Sequence, residues 1–340
     1  IRQAGLLKET KEYTSAIGAC RHLSLWTQAV LLFDDLQRGL LELNAILCNS
    51  AVSACERGEQ WLLAFAVLGG MQLAGLQPDV ITCNAAKSAC GIGRRWALAL
   101  ALLRATGGFS VRVDVVSFNA AASACEKAAR WAPALGLLRD LLRRGIPVDA
   151  ISRNSAISAC EKCGRWRWSL ELVDWACSVH LPMDRIGYNA MISACEKGQE
   201  WTLALAALDG LRRAGLERDA VSCNSATSAC EKALRWQASL DLLRQASGSL
   251  KTTLVTHNAA ISACGQASDW QRAEVLLDRV CCTQLQPDAF ACSAAVAACE
   301  AGGEWARGLE RMVRCAEFGA VGTVIATAGI SSCAAASLWA

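Results

Sequence analysis

Asn49, Asn84, Asn119, Asn154, Asn189 and Asn224 stand 35 residues apart, and Asn258 follows after 34. Six of these asparagines have an aspartate 30 residues downstream: Asp79, Asp114, Asp149, Asp184, Asp219 and Asp288. A carboxamide both donates and accepts hydrogen bonds, whereas an ionised carboxylate only accepts. One such pair per unit can hydrogen-bond a ligand that itself both donates and accepts. The competing role is local, because Asn in a first helical turn and Asp just before a helix are ordinary caps for free backbone N–H groups. A lone Asn would be assigned to capping. Seven at fixed spacing, six of them with Asp at a fixed distance, favour a column that faces a ligand, although duplication copies a cap as faithfully as a contact.

Other chemistries find no foothold. Ten of the 19 cysteines recur at steps of 34 or 35 residues, from Cys20, Cys55 and Cys90 through to Cys333. Equivalent positions in stacked helices lie roughly 8–10 Å apart, beyond the Cα separation of about 6.8 Å that a disulfide tolerates. These thiols are expected to be reduced and buried as small apolar groups, which suits a reducing compartment. The spacing Cys160-x-x-Cys163 has no second such pair to complete a zinc knuckle, and His22, His180 and His257 fall in different units, so no metal site is expected. A glycine-rich phosphate loop, a nucleophile elbow and a His-Glu metal motif are all missing. Neither catalytic residues, nor a cofactor, nor a small-molecule substrate is expected.

The columns imply the scaffold that carries them. A Trp follows each periodic Cys by six residues, from Trp26, Trp61 and Trp96 to Trp339. In the unit 45–79, Ile46 to Cys55 reads as a first helix and Glu56-Arg57-Gly58-Glu59 as a polar turn whose glycine suits a helix end. Trp61 to about Leu73 reads as a second helix, with Ala64, Val67, Leu68 and Met71 at helical spacing. Gly75 and Pro78 close it. Small residues such as Ala51 and Ala54 let the helices approach, and the Trp is expected to fill the space between hairpins rather than to stack on a ligand. With 53% hydrophobic and 19% charged residues the chain is no disordered polymer, and its Ala and Leu favour helix over strand.

Neither helix hides its apolar face within one unit, so stability must come from stacking neighbours. The expected fold is all-α, an α-α superhelical solenoid of helix-turn-helix repeats. Its expected parts are a tail of a preceding repeat at 1–9, nine repeats at 10–44, 45–79, 80–114, 115–149, 150–184, 185–219, 220–253, 254–288 and 289–322, and a truncated tenth at 323–340. No linker interrupts the array, so one continuous body is expected. The uncharged stretch from Gly319 to Ala340 reads as half of a last repeat rather than a membrane span. The chain opens at Ile1 without an initiator methionine, and a fragment is expected, with any targeting peptide outside it.

The tetratricopeptide repeat has a Trp, Leu-Gly and Tyr signature that is missing here. The segment Val115 to Asp149, VVSFNAAASACEKAARWAPALGLLRDLLRRGIPVD, and the opening Val80-Ile81-Thr82-Cys83-Asn84 instead resemble the pentatricopeptide repeat. The resemblance covers essentially the whole chain from Thr10, and its one departure, the Ala-Cys pair before the turn, bears on packing. It implies an α-α superhelix that binds single-stranded RNA one base per repeat, through the fifth and last residues of each unit, with the second residue packing on the base.

Carried onto this sequence, the implied base-reading pairs are Thr14 with Asn44, Asn49 with Asp79, Asn84 with Asp114, Asn119 with Asp149, Asn154 with Asp184, Asn189 with Asp219, Asn224 with Thr253, and Asn258 with Asp288. Ser293 with Gly322 departs from the pattern. The resemblance implies, 5′ to 3′, one adenine, five uracils, one undetermined base and a further uracil. Base packing would fall to Ile46, Ile81, Val116, Ile151, Ile186, Val221 and Val255, with Phe290 continuing the column and Lys11 breaking it. The thirteenth residues Arg57, Lys127, Lys162, Lys197 and Lys232 would meet phosphates, for a single-strand salt slope of roughly −3.5.

The resemblance further implies work in RNA processing, stability, editing or translation in a chloroplast or mitochondrion. Partners would be single-stranded RNA and proteins of an RNA-processing complex, with no membrane. The alternative is a protein-interaction scaffold that uses the concave face on a peptide. A net charge of +3 does not by itself announce nucleic acid.

Overall fold

Aspartate caps and left-handed turns cut this chain into short helices of nearly equal length. The computed structural model describes residues 10–22, 25–38, 43–106, 114–179, 181–249, 253–282 and 286–317. The tail at 1–9, Gly322 and the half-repeat at 323–340 lie outside them. Among the described residues there are eighteen α-helices and no strand. In chain order they are α1 (Thr10–His22), α2 (Trp26–Arg38), α3 (Ala45–Arg57), α4 (Trp61–Leu73), α5 (Val80–Ile92), α6 (Trp96–Thr106), α7 (Val115–Lys127), α8 (Trp131–Arg143) and α9 (Ala150–Lys162). Then follow α10 (Trp166–Ser178), α11 (Arg185–Lys197), α12 (Trp201–Arg213), α13 (Ala220–Lys232), α14 (Trp236–Ser249), α15 (Leu254–Gln266), α16 (Trp270–Cys282), α17 (Ala289–Ala301) and α18 (Trp305–Glu317).

The chain divides into two compact units, Ile1–Arg165 and Trp166–Ala340. In the first, the odd-numbered helices α1 to α9 pack one on the next; in the second, α11 to α17 do the same. Within each unit the even-numbered helices pack between consecutive odd ones, as α4 does on α3 and α5 and α12 on α11 and α13. Among the described residues no two even helices make comparable contact. Each unit is thus an α-α solenoid with a tight layer of first helices. Small side chains permit it: Ala51, Ala54, Ala86, Ala89, Ala121 and Ala124 are fully buried where first helices meet, and a Cβ at Gly91 would already touch the backbone of Ala124 at 3.4 Å.

The periodic cysteines from Cys20 to Cys299 are free thiols inside this layer. Burial pushes Cys48, Cys55 and Cys90 up to about 11 and Cys125 and Cys160 up to about 12, so they stay protonated and behave as small apolar groups.

The turn refines one reading of the sequence. Gly58 has φ −84 and does not supply the left-handed residue; Glu59 does, at φ 60. The N–H of Gln60 then closes back on the Cys55 carbonyl at 2.9 Å, as in a Schellman motif. The same slot is filled by Arg94, Ala129, Gln199, Leu234 and Ser268, all at φ between 51 and 59. A Cβ at Gly58 would enter the indole of Trp26 as it is placed, and Gly93, Gly198 and Gly302 face Trp61, Trp166 and Trp270 in the same way, while Ala128, Cys163, Ala233 and Ala267 hold this slot in other repeats. An arginine two residues beyond this position lies over the ring: the Arg95 guanidinium, after Gly93, is 4.8 Å from the Trp61 ring centre, Arg130, after Ala128, 5.4 Å from Trp96 and Arg235, after Ala233, 5.2 Å from Trp201. Each Trp therefore packs on the turn of the next repeat, where cation–π attraction adds to burial. Gly75, by contrast, does stop its helix, at φ 72.

Candidate nucleic-acid interface

The side chains singled out in the sequence meet where one repeat hands over to the next. Asp79 ends its unit as the N-cap of α5, accepting the Thr82 N–H at 2.8 Å. Its other oxygen accepts from the Asn49 amide of α3 at 2.8 Å. The Thr82 hydroxyl completes the cluster by donating to Asn49 Oδ1. The arrangement recurs with Asn119, Asp149 and Ser152: Asn119 Nδ2 donates to Asp149 at 2.7 Å, the Ser152 N–H to Asp149 at 2.9 Å, and the Ser152 hydroxyl lies 2.5 Å from Asn119 Oδ1. These aspartates do cap their helices, the local role that the sequence offered beside ligand contact, and the same carboxylates also accept from the asparagines. Within each unit such a bonded cluster recurs at the N-terminal ends of successive first helices.

The other junctions vary this theme. Asn84 Oδ1 accepts from Ser117 at 2.7 Å and from the fully buried ammonium of Lys87 at 3.1 Å. Burial draws the Lys87 pKa down. Asn189 donates to Asp219 at 2.9 Å, but Ser222 folds back on the Asp219 backbone in a capping box, leaving Asn189 Oδ1 buried without a partner. Asn224 Oδ1 accepts from both Thr253 at 2.9 Å and Thr256 at 2.6 Å. Asn258 donates to Asp288 at 2.9 Å, yet Ala291 offers no hydroxyl, and Asn258 Oδ1 is the second such orphan. Asn154 lies in the first unit, bonded to Arg153 at 3.3 Å, and Asp184 in the second as the N-cap of α11. Thr14 bonds back to Thr10 at 2.8 Å, while Asn44 caps α3 through Leu47 at 2.7 Å, so this first pair is not joined by a hydrogen bond to each other.

These contacts fix the charge. Burial opposes ionisation of Asp79, Asp149, Asp114 and Asp219, but the hydrogen bonds from Thr82, Ser152, Ser117 and Ser222 and from the neighbouring asparagines outweigh it, and all four sit below the ordinary aspartate value. Each is a carboxylate at neutral pH.

Beside the polar row runs an apolar one. Ile46, Ile81, Val116, Ile151, Ile186, Val221, Val255 and Phe290 are between 54% and 67% exposed, although every other face of their helices with such residues is packed. The cations fare differently. Lys162 reaches Glu126 of the preceding repeat at 3.0 Å and Lys232 reaches Glu196 at 2.9 Å. Lys127 has Gly91 where that glutamate would stand, and makes no ion pair among the described residues. Arg57 and Lys197 each have an interaction of their own. The thirteenth column therefore cross-links repeats as well as facing solvent.

Two features escaped the sequence reading. One is the junction hydroxyl, visible as the Ser or Thr two residues before Asn in Thr82, Ser117, Ser152, Ser222 and Thr256. The other is the Arg that lies over a Trp ring, as Arg95 over Trp61, Arg165 over Trp131 and Arg307 over Trp270. Among the described residues no group of three or more metal-binding side chains occurs, and no helix is long and apolar enough to cross a membrane.

A model for the pentatricopeptide repeat domain matches residues 31–92, and one for the PPR repeat matches residues 255–281. No curated protein matches the sequence. Among solved structures, the maize pentatricopeptide repeat protein PPR10 superposes with a TM-score of 0.63 at 17% identity, over 98% of this chain and 52% of that one. PPR10 in complex with an 18-nt psaJ RNA element gives 0.54 at 17% identity, over 96% and 57%. The likeness is one of fold, and the chain spans about half the length of the solved relatives it matches.

Proposed function

We propose, from the premise that this chain is a pentatricopeptide repeat protein, that it binds single-stranded RNA along the junction row, one base to each Asn–Asp pair. The observation that carries the reading is the exposed apolar residue beside each polar cluster: Ile81 is 65% exposed next to Asp79 and Thr82. Aliphatic side chains gain nothing by facing water, whereas the flat face of a base covers them and brings its polar edge to the amide and carboxylate. The solved RNA complex of PPR10 supports the substrate class.

The expected preference follows from the protons. A carboxylate only accepts, so it suits the N3–H of uracil and repels the lone pair of cytosine N3. The second amide proton of the asparagine can then donate to a uracil carbonyl. Asn49/Asp79, Asn84/Asp114, Asn119/Asp149, Asn154/Asp184, Asn189/Asp219 and Asn258/Asp288 would read uracil, and Thr14/Asn44 adenine. The array would act by occupancy, without catalysis of its own, in organellar RNA processing, stability, editing or translation.

Gel-shift titration of the purified array tests this. Oligouridine should bind at least about tenfold tighter than oligocytidine or duplex RNA, a gap of roughly 1.4 kcal/mol. Replacing Asp79, Asp114 and Asp149 by Asn should move the preference toward cytidine. Equal affinity for every sequence ends the reading, and binding of apolar peptides in place of RNA would favour a protein scaffold.

A further inference from the structure

We infer that the hydroxyl on the third residue of the following repeat is a positioning residue for base reading, so that each site is made of three side chains from two repeats rather than two from one. The inference rests on the RNA reading above and goes beyond it, because it assigns discrimination to Thr82, Ser117, Ser152 and Thr256, which face no base themselves.

The junctions form a natural series. Where the hydroxyl is free to turn outward from its own helix, it occupies the asparagine oxygen: Thr82 on Asn49, Ser117 on Asn84, Ser152 on Asn119 and Thr256 on Asn224. Where it is diverted at Asn189 or missing at Asn258, the oxygen is orphaned; at Asn154, followed by Gly187, Arg153 takes the oxygen instead at 3.3 Å. Ser222 donates to the Asp219 carbonyl at 2.9 Å, and Ala291 has nothing to give; Asn189 Oδ1 and Asn258 Oδ1 are the two junction amide oxygens left buried without a partner. Asn258 is 8% exposed as a whole.

A carboxamide held only at Nδ2 can still pivot about that bond. Held at both ends, by Asp at Nδ2 and by the hydroxyl at Oδ1, its plane is fixed and its remaining proton points one way. Thr82 and Ser152 also lie 2.6 Å from the oxygens of Asp79 and Asp149 that cap the helix, so the single proton of each hydroxyl is shared between the two readers. A fixed donor direction is what separates a uracil carbonyl from the amino group of cytosine at the same place. Sites with the hydroxyl should discriminate sharply, and the Asn189 and Asn258 sites less so.

The test uses the full chain and an octamer matching the implied order, AUUUUUNU, with single U-to-C changes. Ser152→Ala should reduce U-over-C discrimination at base four by about fivefold, the worth of one net hydrogen bond, leave the other bases unchanged, and be rescued by Ser152→Thr. Ala291→Ser should raise discrimination at base eight by a similar factor, and this gain does not depend on a variant that folds poorly. A purely structural hydroxyl would instead lower the melting temperature and weaken binding to every octamer alike, which would overturn the inference. So would unchanged discrimination at bases four and eight in variants that still bind. If the unaltered chain binds no octamer at all, the RNA reading itself falls, and this inference with it.

Discussion

Asp149 is where stability and recognition meet in one side chain, and two substitutions pull them apart. It caps α9 through the Ser152 N–H at 2.9 Å and holds the Asn119 amide at 2.7 Å. Asp149→Ala removes the cap, at a cost of about 1 kcal/mol. It also leaves the half-buried Asn119 Nδ2 without its acceptor, about 1 kcal/mol more. The Ser152 hydroxyl keeps its own bond to Asn119 Oδ1 at 2.5 Å, so no third group is orphaned and the sum is about 2 kcal/mol. Asp149→Asn caps nearly as well, since Asn and Asp rank together at that position. It sets an amide against an amide, however, and loses roughly one net hydrogen bond, about 0.5–1 kcal/mol. Amide exchange of the Ser152 and Arg153 N–H groups in the first turn of α9 measures the effect locally, and urea unfolding measures it for the chain. The alanine variant should exchange about tenfold faster than the asparagine variant, as a gap near 1.4 kcal/mol requires. Identical exchange in the two variants, or no acceleration in alanine, would refute the assignment of Asp149 as both cap and bridge.

Three further outcomes follow from the same geometry. The folded-state pKa values of Asp79, Asp114, Asp149 and Asp219 lie below the ordinary 3.8; the stability they give is therefore complete above that value and is lost as pH falls through the depressed values, so a chain with all four changed to Asn should show a shallower loss of unfolding midpoint below about pH 4, and an equally steep loss would count against it. Gly93→Val puts a branched side chain into the Trp61 indole that Arg95 covers and should cost about 1–3 kcal/mol by overpacking, whereas a neutral result in thermal unfolding would mean the ring is free to leave. Lys127→Gln should reduce the salt slope of RNA binding by about 0.7, while Lys162→Gln, whose ammonium sits 3.0 Å from Glu126, should change it less; equal changes would show that the ion pair opens on binding.

The architecture was legible in the sequence because it is written in local chemistry repeated many times. Cys and Trp at a fixed interval, alanines on one face, and an Asp at the end of most units recur along the chain, and the helices start and stop accordingly. The turn at 56–59 was legible, with Gly58 as the cap that ends its helix, but the left-handed residue was not. A glycine beside a helix end usually marks the left-handed position, and only the structure shows that Glu59 takes it while Gly58 faces the Trp26 ring. The lysine column was legible as charge but not as pairing, since the Glu126 partner of Lys162 is 36 residues away.

The sequence by itself determined which groups recur through most of the repeats: an amide, a carboxylate and an aliphatic second residue. Periodicity carries that much, because every copy must satisfy the same local rules. Only the tertiary structure decided that Asn49, Asp79 and Thr82 belong to one cluster, and that the cluster lacks its hydroxyl bond at Asn189 and Asn258. Stacking brings residues 30 and 33 positions apart to within hydrogen-bonding distance, and the direction of a side-chain oxygen depends on which neighbour reaches it first.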